Sequence, residues 1–165
     1  MVDEPPPRRQ RVAAYALLRR GEDELLLSRL APHVRFQGWT LPGGGVDHGE
    51  HPRDALRREI YEEAGLHAEP GRLRDVYHAH YTGARPDGLV EDYHAIALIF
   101  EAELLPESRD VEPHVVDVGG STDHAAWVTL AEARTLSLSG AALHALAILD
   151  EDLAAAEAPP IEERS

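Results

Sequence analysis

Three carboxylates fall close together in the run Arg58-Glu59-Ile60-Tyr61-Glu62-Glu63. In a helix Glu59 stands four residues from Glu63 and three from Glu62, so all three leave neighbouring parts of one face while Ile60 turns to the core. Like charges at that spacing oppose helix formation. A hard divalent cation such as Mg²⁺ or Mn²⁺ would compensate them, because such ions take oxygen ligands and keep several waters. A solvated acidic face with Arg57 and Arg58 as local partners is the other reading, and these residues alone leave both open.

The carboxylates need a helix and something to aim it. Pro52 suits a first helical turn, Asp54 complements the positive end of the dipole and Gly65 suits a C′ position, so the spacing predicts a helix over 52–64 buried along Leu56, Ile60 and Ala64. Before it, Pro42-Gly43-Gly44-Gly45 gives the backbone conformations closed to other residues. Val12 to Leu18 and Leu25 to Leu27 read as two strands joined by Arg20-Gly21-Glu22-Asp23, with Trp39 to Leu41 leading into the glycines. Arg72 to Thr82 and Tyr93 to Leu104 read as longer strands around a turn with Pro86-Asp87-Gly88. In the second, His94, Ile96, Leu98 and Phe100 share one face and Ala95, Ala97 and Ile99 the other, as in a strand covered on both sides. The acidic stretch 106–122 reads as loop and Ala126 to Val128 as a short strand. A helical turn at Leu130 to Arg134 precedes a last helix over 140–156, with a stripe at Leu143, Leu146, Ala147 and Leu153. This order describes a mixed sheet with helices on two faces, an α/β fold.

The 165 residues carry 16 Arg, no Lys and 30 Asp or Glu, for a formal net charge of -14. A chain of this length is expected to form a single domain: a flexible arm over 1–11, a folded domain over 12–156 and a disordered tail over 157–165. With no cysteine, thiolate catalysis, cysteine-type zinc sites and disulfides are excluded. The acidity disfavours long nucleic acids and anionic membranes, whose affinity depends on clustered cations. Without an apolar membrane span or signal stretch the expected location is cytoplasmic.

Counting outward from the carboxylates, Gly44, five residues, Glu50, seven residues, then Arg58 to Leu66 fill every fixed position of G-x5-E-x7-R-E-U-x-E-E-x-G-U, with U apolar. This resembles the 23-residue box of the Nudix hydrolases. Trp39 to Gly43 and Ala126 to Leu130 are also similar to what this family carries around its box and at its last strand.

The resemblance implies an α/β/α sandwich that hydrolyses a phosphoanhydride bond in a nucleoside diphosphate linked to another moiety, with Mg²⁺ or Mn²⁺. It implies Glu59 and Glu63 as principal metal ligands, Glu62 as a further or water-mediated one, and the Gly43 carbonyl completing the set. Arg58 would orient the glutamates, and Glu50 would pair with it or assist the attacking water. Glu63 is the first choice of general base, with Glu107, Glu112, Asp117 and Asp123 as alternatives. Gly44 and Gly45 would let the chain approach the substrate, and Tyr81 and His94 would face its base or phosphates. His78, His80, Tyr77 and Tyr93 share those strands, where packing roles are the commoner expectation. Arg8, Arg9 and Arg11 could clamp a phosphate, but their arm reads first as a solvated tail. Nudix members acting on ADP-ribose often have a proline near the position of Thr82, and Pro86 falls late, so no subgroup is identified. A small nucleotide is the expected partner and a homodimer is possible in this family. The alternative is a non-catalytic module of the same fold that binds a nucleotide as effector; a third reading is an acidic interaction domain.

Overall fold

The computed structural model describes residues 4–85 and 87–157. Its first strand, β1 (Arg8–Arg20), shows the rule that organises the rest. Successive side chains leave opposite faces of a strand, so Leu17 enters one apolar cluster while Ala14, Ala16 and Leu18 enter another. With β2 (Glu24–Leu30), β3 (Trp39–Thr40), β4 (Gly43–Gly45), β5 (Ala68–Ala84), β6 (Val90–Leu104) and β7 (Thr122–Thr129) it forms a mixed sheet ordered β3-β2-β1-β6-β5. Off that path β4 pairs with β1 and β7 with β2.

β1 runs parallel to β6 from Arg8 opposite Asp92 to Leu18 opposite Ala102. Along its other edge it changes partner. Arg19 and Arg20 pair with β2, while Ala13 to Tyr15 pair with β4. That change brings the glycine tract against the centre of the sheet.

Helices cover both faces. α1 (Pro52–Ala64) lays Leu56, Ile60 and Ala64 on the cluster that holds Leu18, Leu26 and Phe100. The four-residue α2 (Leu130–Ala133) and α3 (Gly140–Glu157) close the other cluster with Ala133, Leu146 and Leu149 over Leu17, Leu27 and Ile99. The fold is therefore an α/β/α sandwich, and β6 is apolar on both sides because Ile99 and Phe100 serve different layers. α1 has the expected bounds. The His51 ring accepts from the Arg53 amide at 3.1 Å at its start, and Gly65 ends it at φ 64° with its N–H on the Tyr61 carbonyl.

Several expectations need correction. Arg8 to Arg11 belong to β1 rather than to an arm, because β6 supplies their backbone groups with a parallel partner. The glycine tract, for which the sequence suggested no element, is a short strand. β7 begins at Thr122, four residues early, since β2 pairs with it as far as Leu30. In α3 the buried stripe is Ala141, Ala142, Ala145, Leu146 and Leu149, while Leu143 and Leu153 are exposed. Among its eighteen mostly apolar positions three alanines and two leucines mark the close approach to the sheet. Pro86 and the 158–165 part of the expected tail lie outside the described residues.

Candidate active site

Glu63 is the only acidic residue on the buried face of α1, with 5% of its surface exposed. Burying a carboxylate costs several kcal/mol unless donors meet it, and three do. Gly43 N–H and Ser28 Oγ each donate to Oε2 at 3.0 Å, and Thr122 Oγ1 donates to Oε1 at 2.7 Å. The donors come from β4, β2 and β7, so the sheet itself is built around this carboxylate. Burial still dominates and pushes Glu63 up to about 7, with the Thr122, Gly43 and Ser28 hydrogen bonds opposing it.

Arg58 organises the rest. Its guanidinium forks onto Glu50 at 3.0 and 2.9 Å and also donates to Glu59 at 2.9 Å, Glu62 at 3.3 Å and the Gly45 carbonyl at 3.2 Å. Hydrogen bonds from Arg58 and then from the Asp47 amide hold Glu50 down at about 2, and the same bond to Glu50 raises Arg58. Glu59 is raised by burial, which outweighs its contact with Arg58.

The glycines act by what they lack. Gly43 has φ 138°, and a Cβ there would collide with the Ala14 carbonyl oxygen. At Gly44 a Cβ would stand 2.6 Å from the Glu59 carboxyl group. Ala16 N–H bonds Pro42 and Val46 N–H bonds Val12, so residues 43 and 45 turn their polar groups away from β1. The Gly43 amide meets Glu63 and the Gly45 carbonyl meets Arg58.

Glu59, Glu62 and Glu63 border a small cleft of about 20 Å³ with Asp117, Gly120 and Thr122. This all-oxygen set fits a hard divalent cation in kind. Its donors are not gathered as they stand, for among the described residues no three His, Asp or Glu side chains converge on one point. Arg58 holds Glu59 and Glu62 instead, supplying the positive charge that the cluster needs.

A cavity of about 360 Å³ opens beside Glu63 along the face of β1, β6 and β5 opposite to α1. Phe36, Tyr15, Tyr77, Tyr81 and Tyr93 give it aromatic walls, and Gly43 and Gly44 form its border with the glutamates. Tyr81, expected from the sequence to face the substrate, is one of these walls. His94 is not. Period two puts it on the other face, with Gln10 and between the rings of His78 and His80, in a separate groove. Of the four loop carboxylates considered as base, only Asp117 lines the cleft; Asp123 pairs with Arg29, and Glu107 and Glu112 border neither space. A larger groove of about 640 Å³ lies around Arg19, Arg74 and Glu101, where Arg74 is already paired with Glu101 and Asp152; no residue of the box lines it.

Sequence reading missed Ser28 and Thr122. Ser28 had a signal, being the one uncharged polar residue of its leucine-rich strand, whereas Thr122 looked like any loop end.

A NUDIX domain profile matches residues 9–149. The chain belongs to the NUDIX family. With all box carboxylates present it is a NUDIX hydrolase. This NUDIX chain is 33% identical over 139 residues to nucleoside triphosphatase NudI of Klebsiella pneumoniae, covering 81% of the chain and 92% of that protein. Its fold is similar to a NUDIX hydrolase from Nitrosomonas europaea, with a TM-score of 0.64, 22% identity and coverage of 95% and 97%. A MutT NUDIX hydrolase from Burkholderia pseudomallei gives a TM-score of 0.58 at 26% identity, covering 85% of this NUDIX chain and 98% of its own.

Proposed function

We propose that the chain hydrolyses a phosphoanhydride bond in a nucleoside triphosphate or a related nucleoside diphosphate derivative, with Mg²⁺ or Mn²⁺ held by Glu59, Glu62, Glu63 and the Gly43 carbonyl. The observation that carries this reading is the junction of two unlike spaces. An aromatic cavity wide enough for a nucleobase meets the glutamate cleft at Glu63 and Ser121, with Gly43 and Gly44 in the cavity wall beside them. One end suits a flat apolar ring and the other a polyanion bridged by cations. The likeness to a nucleoside triphosphatase over most of both chains supports the same substrate class.

When bound, the cation supplies positive charge to the pyrophosphate oxygens and acidifies a water. The chain's own residues do the rest. Phe36 and Tyr81 receive the base, and Gly43 and Gly44 bring backbone, without side chains, up to the phosphates. Arg58 with Glu50 fixes where Glu59 and Glu62 stand. Glu63 accepts the proton of the attacking water, its burial making that carboxylate a stronger base than an exposed one.

The test is a panel of nucleoside triphosphates, nucleotide sugars, ADP-ribose and dinucleoside polyphosphates, incubated with Mg²⁺ or Mn²⁺ in heavy-oxygen water. The expected result is turnover of a triphosphate or related compound, with the label on one phosphorus. Glu63→Gln and Glu59→Gln are each expected to lower kcat by about 10² or more. Undiminished turnover in Glu63→Gln would remove the reading's main support.

A further inference from the structure

Arg11 is the one cation among the residues that line the aromatic cavity. It stands where the aromatic walls give way to the glutamates. From the guanidinium to a Cβ built on Gly45 would be 3.1 Å, so the side chain packs over the glycine strand. The other cations nearby are engaged. Arg58 binds Glu50, Glu59 and Glu62, Arg9 reaches Glu91 at 3.7 Å, and Arg35 donates to the Ala84 carbonyl at 2.8 Å. Among the described residues Arg11 makes no ion pair and no side-chain hydrogen bond, and its side chain is exposed to the cavity.

Its backbone is fixed even so. Arg11 sits in the parallel ladder opposite Ala95, two residues before Ala13 pairs with Gly45. The charge is also felt on both sides of the junction. Burial raises the Tyr15 phenol and Arg11 is the strongest influence opposing it, and the same charge is among those that hold Glu59 down against its burial. An unpaired guanidinium carried on a fixed backbone, between an aromatic cavity and an acidic cleft, suits an oxyanion, and a phosphate is the oxyanion a nucleotide would bring there.

We propose that Arg11 is a phosphate-binding residue, whose guanidinium grips non-bridging oxygens of the substrate where its polyphosphate leaves the aromatic cavity for the glutamates. The inference rests on the nucleotide reading above and assigns the group that lets a polyanion enter a cleft of net negative charge. It makes Arg11 a determinant of substrate class. Nucleotides with two or more phosphates depend on it, and nucleosides do not.

The experiment measures binding by calorimetry with Mg²⁺ present. The probes are adenosine and guanosine triphosphates with both anhydride oxygens replaced by methylene, and the parent nucleosides. In Arg11→Ala triphosphate affinity is expected to fall about tenfold or more while nucleoside affinity changes less than about twofold. Arg11→Lys should recover part of the loss, because a point charge replaces the fork. With a hydrolysed nucleotide, Arg11→Ala should raise KM about tenfold and leave kcat within about threefold. Unchanged triphosphate affinity in Arg11→Ala, or an equal loss for nucleosides, would overturn the inference. Wild-type protein that binds the analogues but hydrolyses no nucleotide would sink the catalytic reading and leave Arg11 to be judged on binding alone. No binding of either analogue by the wild type would overturn both.

Discussion

Glu63 sits among three donors, yet its burial works against its charge. Its carboxyl lies at about 7 in the folded chain against 4.5 ordinarily. Between those values the folded chain keeps a proton that the unfolded chain has released. Stability is therefore full below about 4.5, falls as pH rises through about 7, and is level above. The expected span is about 3 kcal/mol. Thermal melts from pH 4.5 to 8 in a chelator test this on wild type and Glu63→Gln. The stability advantage of wild type over the variant should shrink with rising pH, and parallel curves would refute the assignment. Glu50 has the opposite sign, for its contribution is present above 4.5 and lost as pH falls through about 2. The glutamates themselves were legible, because helical spacing puts them on one face. Which one is buried was not, since that depends on Ser28 and Thr122, which stand 35 and 59 residues away.

At the scale of elements, α1 and β4 divide the work of the box. The helix was readable to the residue because Pro52 and Gly65 act locally, through a fixed φ and a left-handed cap. β4 was not, since three glycines carry no strand preference and their pairing is imposed by β1. Neighbouring glycines there should fail differently. Gly43→Ala puts a Cβ against the Ala14 backbone at φ 138°, where nothing flexible can yield, and should cost about 3 kcal/mol or more. Gly44→Ala meets only the end of the Glu59 side chain, which can swing aside. Its melting point should move by less than about 1 kcal/mol of stability, with turnover down about tenfold or more. Melts and turnover of the two variants decide the matter, and indistinguishable melting points would contradict it.

Across the whole molecule the three-layer plan was visible in β6, whose residues are apolar on both sides and so demand cover on both. The orientation of α3 was not. A helix rich in Ala and Leu throughout leaves periodicity with little contrast, and the sheet it packs on decides which side is inside. Leu149 is 3% exposed and Leu143 57%. Leu149→Ala should then cost about 2–4 kcal/mol in denaturant unfolding and Leu143→Ala less than about 0.5. Equal losses would place the helix on its other face. The net charge of -14 is compatible with a small anion once Arg11 and Arg58 are seen on either side of the glycine strand.

The pairing of β1 with β6 joins residues as far apart as Gln10 and His94, 84 positions along the chain. Closing a loop of that size is entropically slow, so the ladder forms late relative to local helices and hairpins. Arg11 and Tyr15 stand on one side of this seam and Tyr93 and Ala95 on the other, so the cavity exists only after the seam has shut. A chain in which that seam is still open lacks the walls of the cavity. Under the proposed function a nucleotide would recognise only finished molecules, and its binding would favour completion of the fold over every partly assembled form.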